Sequence, residues 1–98
     1  MIINVIKSYR DIVAVCDKEL LGKKFEEEKF QIDVKESFYK GEEASEEKVL
    51  EIMKLMSAED ATFNIVGEKS VATAIKAGVV SEESIGRIQK IPYALILL

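Results

Sequence analysis

The stretch that most constrains this chain is TFNIVGEKSVATAIKAG at residues 62–78. Residues 62–66 are a short run of strand-forming residues, Gly67 supplies a turn, residues 68–77 suit a helix, and Gly78 offers a left-handed stop. A strand that feeds a helix through one glycine commits the chain to packed layers, because the helix must bury its apolar stripe against a sheet. Ala72, Ala74 and Ala77 are small enough to let that helix lie close.

The rest of the chain supplies the sheet. Residues 2–8 (IINVIKS) and 11–17 (DIVAVCD) flank Tyr9 and Arg10, the spacing of an antiparallel hairpin. The second run is apolar at five consecutive positions, from Ile12 through Cys16, as expected of a strand covered on both faces. Asp17 is placed to cap one helical turn that Gly22 stops. Residues 23–29, KKFEEEK, read as an exposed connection anchored by Phe25. In residues 30–34, FQIDV, strict alternation puts Phe30, Ile32 and Val34 on one face of a strand. Phe38 and Tyr39 then sit at the end of that strand before a turn, packing on the sheet or offering a stacking platform for a base.

Ser45 caps the next helix, with Glu46 and Glu47 in its first turn. Val49, Ile52, Met53 and Met56 form its apolar stripe, widened by Leu50, while Glu47, Lys48, Glu51 and Lys54 face water. After residue 78, Ser81 is placed to cap a short helix over residues 82–89 that turns Ile85 and Ile88 inward. Pro92 ends it, and residues 93–98 (YALILL) form a final strand. Strand, helix and strand predict a crossover that sets this last strand parallel to residues 62–66. The expected architecture is thus an α/β (α+β) domain over residues 1–98, with a mixed sheet of about five strands, an N-terminal antiparallel hairpin, a C-terminal βαβ unit and helices packed on the sheet.

Charge argues against a general polyanion binder. The net charge is -4, and residues 17–47 hold eleven Asp and Glu against six Lys. Any RNA contact therefore rests on a local patch drawn from Lys7, Arg10, Lys69, Lys76, Arg87 and Lys90. With no His and one Cys, a structural zinc site has no ligand set, and Cys16 has no His to activate it as a nucleophile. No cofactor is implied, and the balance leans away from an enzyme. A lone cysteine, with no apolar run approaching the roughly 18 residues needed to span a bilayer, suggests a cytoplasmic protein without membrane contact. Sparse amides, two Asn and two Gln among many Lys and Glu, give the chain a thermophile-like composition.

The segment Gly67, Glu68, Lys69, Ser70 invites comparison with a phosphate-binding loop. That motif needs a first glycine five residues before a Gly-Lys-Ser/Thr triplet, and here a lone glycine is followed by Glu68. What survives is a helix N-terminus with free N–H groups for an anion, assisted by Lys69 and Ser70 and opposed by Glu68.

Tyr9-Arg10, Cys16-Asp17, Leu20-Leu21-Gly22-Lys23, Phe38-Tyr39-Lys40-Gly41 and Asn64-Ile65-Val66-Gly67-Glu68, in that order, resemble an uncharacterised archaeal protein family, the domain of unknown function 424. The resemblance covers nearly the whole chain. It implies an archaeal cytosolic α/β protein linked to translation or RNA, and it carries over no catalytic residue. The function expected is a non-enzymatic binding protein that contacts RNA or a ribonucleoprotein through Tyr9, Arg10, Asn64, Gly67, Lys69 and Ser70. The alternatives are a small-anion or metabolite-binding protein using the helix N-terminus at residues 67–70, and a structural or oligomerisation unit.

Overall fold

The two β-branched runs at the start of the chain pair as an antiparallel hairpin. In the computed structural model, which describes residues 1–97, β1 (Ile2–Ile6) and β2 (Ile12–Cys16) run in register from Ile2 opposite Cys16 to Ile6 opposite Ile12. A 3₁₀ turn (Lys18–Leu20) follows, then β3 (Lys24–Glu27), β4 (Phe30–Asp33), the one-turn helix α1 (Glu36–Tyr39) and the two-residue β5 (Glu42–Glu43). Next come α2 (Glu46–Ala58), β6 (Thr62–Val66) and α3 (Glu68–Lys76). A second 3₁₀ turn (Glu82–Ser84), β7 (Gly86–Ile88) and β8 (Ile91–Ile96) complete the described chain.

Six strands form one mixed sheet in the order β5-β1-β2-β6-β8-β7, and β3 and β4 form a separate hairpin. The mixed α+β class holds, with one strand more in the main sheet than the sequence suggests. β2 and β6 are its parallel pair, running from Ile12 opposite Thr62 to Cys16 opposite Val66. The sheet is covered on both faces, which explains the unbroken apolar run of β2. Val13, Val15, Phe63, Ile65 and Ala94 point toward α2 and α3, meeting Val49, Met53, Met56, Val71 and Ala74. Ile2, Ala14, Cys16 and Val66 point the other way, onto Leu20, Ile32, Val34 and Tyr39. Period two in a strand distributes successive residues to opposite cores.

α2 forms as its sequence predicts: the Ser45 hydroxyl accepts from the Lys48 N–H at 3.2 Å, and the acidic first turn faces the positive end of the macrodipole. α3 ends where expected, with Gly78 at φ +77°. Of its small residues, Ala74 is fully buried and Ala77 partly so, whereas Ala72 is exposed.

Several expectations are corrected. Residues 23–29 are not a bare connection, because β3 uses Lys24–Glu27 to pair with β4 and make a hairpin lid over the second core. Phe30 sits at the tip of that lid and is 64% exposed, so only Ile32 and Val34 of the expected apolar face are buried. Phe38 and Tyr39 lie on α1, their rings edge to face at 5.1 Å, and Tyr39 is buried rather than offered for stacking. The helix expected over residues 82–89 is a 3₁₀ turn followed by β7; Ile85 joins the first core and Ile88 the second. An i, i+3 apolar pair in eight residues is too short to separate those outcomes.

The last strand is antiparallel to β6, not parallel. Gln89 and Lys90 adopt φ of 51° and 68°, the geometry of a two-residue hairpin turn, and this reversal returns β8 between β6 and β7. The crossover from β6 through α3 therefore lands on β7, which points the same way as β6 with β8 between them. Pro92 lies inside β8 rather than ending a helix. It offers only its carbonyl, which accepts the Gly67 N–H at 2.9 Å where the β6 pairing finishes. Leu98, included in the expected final strand, lies outside the described residues. Among the described residues, no helix is long and apolar enough to cross a membrane.

Candidate functional site

Two parallel strands ending side by side leave a crevice at their C-terminal ends, the place where layered α/β proteins commonly hold a ligand. Here that crevice lies beyond Cys16 and Val66, with the N-terminus of α3 opening into it. Asp17 fills it. The residue is 4% exposed, and its backbone extends the parallel pairing, Asp17 N–H to Val66 C=O at 3.1 Å. Its Oδ1 accepts from the Ser70 N–H at 2.8 Å and the Ser70 hydroxyl at 2.7 Å, and its Oδ2 from the Lys69 N–H at 3.1 Å.

The sequence places Asp17 as the cap of the turn that follows it. That turn receives no side-chain cap, and Asp17 caps α3 instead, across more than fifty residues. A carboxylate in this position satisfies two orphan N–H groups and faces the positive end of the helix dipole. Gly67 makes the approach possible. Its φ of +115° and ψ of +156° lie where L side chains are strained, and a Cβ there would stand 2.4 Å from Asp17 Cγ. The amides that the sequence offered to an external anion are thus engaged by an internal one.

Next to Asp17, burial pushes the Cys16 thiol up to about 11, with the Asp17 charge adding to the effect. Burial likewise raises Tyr39 to about 12, with Cys16 contributing. Both groups are therefore neutral near pH 7, and Cys16 is a packed thiol rather than a nucleophile. Among the described residues, no group of three or more Cys, Asp and Glu side chains is arranged to hold a metal ion.

The remaining candidate residues do not converge on this crevice. Tyr9 and Arg10 lie in the loop between β1 and β2, at the opposite end of the parallel pair, about 13 Å of strand away. Asn64 is in the middle of β6 between Ala14 and Leu95, half-buried. At the loop, the Tyr9 side chain is wholly in solvent, at 106% relative exposure. Lys7 pairs with Asp11 at 3.2 Å, the Ser8 hydroxyl donates to the Arg10 carbonyl, and the Thr62 N–H donates to the Asp11 carbonyl at 2.9 Å. These bonds tie the loop across its own base and to the start of β6. Beside it, Tyr9, Arg10, Asp11, Glu59 and Asp60 line a shallow concavity of about 200 Å³. Glu59 and Asp60 come from the end of α2; no sequence motif joins them to Tyr9, and only the sheet brings them there.

These features define a small mixed α+β protein with a helix N-terminus sealed by a buried carboxylate and an exposed hairpin tip at the far end of the sheet. The chain belongs to the family described as protein of unknown function (DUF424), whose model matches residues 6–98. It is similar in fold to an uncharacterized conserved protein from Methanopyrus kandleri known from a crystal structure. The TM-score is 0.86 at 21% identity, covering 97% of this chain and 88% of that one. No curated protein matches the chain.

Proposed function

We propose that this protein is a non-enzymatic binding module that engages another protein through the Tyr9–Arg10 hairpin tip. The carrying observation is the fully exposed Tyr9 ring beside Arg10 on a loop tied at its base. Tyr and Arg are the side chains that most often anchor interfaces, and a loop held in place loses little entropy on docking. On one side the tip borders a concavity lined by Glu59 and Asp60 together with Asp11, which is paired with Lys7. Their charge repels a phosphate backbone, which favours a protein partner over the RNA that the family resemblance suggests. The engaged amides of α3 argue in the same direction against an anionic metabolite at residues 67–70.

The test is a pull-down from source-cell extract with the wild-type protein, Tyr9→Ala and Arg10→Glu, each with and without nuclease. A partner retained after nuclease and lost with either variant supports the reading. Nuclease-sensitive capture, or retention by both variants, overturns it.

A further inference from the structure

The second core is open at one point, between the β3–β4 lid and the sheet. A cleft of about 170 Å³ lies there, with Val66, Tyr93 and Leu95 of the sheet on one side and Gln31, Ile32 and Asp33 of β4 on the other. Tyr39 reaches it from α1. That residue is 6% exposed, yet its hydroxyl makes no hydrogen bond among the described residues. A buried tyrosine hydroxyl ordinarily finds a partner. Among the described residues every side-chain nitrogen or oxygen sealed from solvent has one, so the unpartnered Tyr39 hydroxyl is reached from outside, through the cleft it lines. Asn64 stands on the same face of β6 as Val66, in register with Leu95, and its side-chain amide likewise makes no hydrogen bond there.

We infer that this cleft binds a small neutral ring compound carrying an N–H or O–H group, of the size of phenol or a free pyrimidine base, with the Tyr39 hydroxyl as its inner hydrogen-bond partner. Volume sets the upper limit. An apolar cavity of about 150 Å³ accepts benzene, so this cleft of about 170 Å³ admits one ring and excludes a nucleotide. The lining sets the polarity: Ile32, Val66 and Leu95 offer apolar surface to the ring, while the Tyr39 hydroxyl, neutral near pH 7, can donate or accept. Charge sets the sign. Asp33 is the one charged side chain among the described residues lining the cleft, so an anion is repelled, whereas an N–H or O–H group finds an acceptor. Apolar walls with a few placed polar groups are the usual make-up of a small-molecule site. The cleft is on the face of the sheet away from α2 and α3, and it does not depend on the reading given to the Tyr9–Arg10 tip.

Heteronuclear NMR of the full chain, titrated separately with phenol, uracil and benzoate to about 10 mM, tests this inference. Phenol or uracil is expected to give saturable shifts at Ile32, Val66 and Leu95 with a dissociation constant of about 1 mM, and benzoate, a ring of the same size with a negative charge, to bind at least about tenfold more weakly. Tyr39→Phe removes an oxygen that bonds nothing in the protein, so it should keep the fold and weaken binding about tenfold. Leu95→Trp, at a lining position that is 55% exposed, covers the mouth of the cleft and should abolish the shifts. Circular dichroism and thermal melts establish that both variants are folded. Absence of saturable shifts with both neutral rings, or shifts confined to other surfaces, overturns the inference. So does benzoate binding as well as phenol, or binding left unchanged by Tyr39→Phe or Leu95→Trp.

Discussion

Asp17 holds three parts of the chain together at one carboxylate: the end of β2, the glycine turn after β6 and the first turn of α3. Its two hydrogen bonds from Ser70 are buried and the one from the Lys69 N–H is partly so, and removing the acceptor leaves the Ser70 hydroxyl and two amides without it. Asp17→Ala is expected to lower stability by about 2–3 kcal/mol in urea unfolding, and Asp17→Asn, which keeps one oxygen acceptor, by less. The neighbouring Cys16 and Tyr39 set a pH dependence whose direction follows from their raised values. Each is neutral when folded and ionises more easily when unfolded, so the folded state holds the extra protons. Their contribution to stability is complete below the unfolded values of 9.0 and 10.0 and is lost as pH rises toward about 11 and about 12. Thermal melts from pH 8 upward should show this loss, and Tyr39→Phe should flatten its upper part.

At the scale of elements, two turns show how local geometry directs pairing. Gly67 permits a strand to pass into a helix against a carboxylate, a role visible in the sequence as a glycine at the right place. The turn at Gln89 and Lys90 reverses the chain with two positive φ values and no glycine. Because residues that favour this conformation are Gly, Asn and Asp, nothing in the dipeptide announces a hairpin. Its compensation is tertiary: Gln89 N–H donates to Glu27 Oε1 at 2.8 Å, and Gln89 Nε2 to the Glu26 carbonyl at 2.6 Å, binding the turn to the β3–β4 lid. Lys90→Gly relieves the left-handed residue without touching those bonds. It should raise stability by about 0.5–1 kcal/mol, read as a shift in the urea midpoint at constant slope.

Over the whole molecule, one sheet separates two cores, and side chains count by the core they enter rather than by their hydrophobicity. Phe63 is 1% exposed between the sheet and α2 and α3, whereas Phe30 at the lid's tip is 64% exposed. Phe63→Ala is expected to cost about 3–5 kcal/mol and Phe30→Ala no more than about 0.5, measured by denaturant unfolding of the two variants. The same geometry distributes the candidate binding residues. With β2 and β6 parallel, the hairpin tip and the start of α3 lie at opposite ends of the sheet, so Tyr9 and Ser70 cannot share a ligand of ordinary size.

The chain's local patterns by themselves determined the N-terminal hairpin, the span of α2 with its Ser45 cap and the glycine-joined β6 and α3, because these follow from periodicity, capping and turn chemistry within a few residues. They also determined that β2 is covered on both faces. Tertiary structure alone decided which helix Asp17 caps, whether residues 82–89 form a helix or a strand, and the direction of β8. It also decided that Glu59 and Asp60 stand beside Tyr9. Each of these depends on contacts between residues far apart in the chain, where the free energy that selects one arrangement comes from groups that no local pattern brings together.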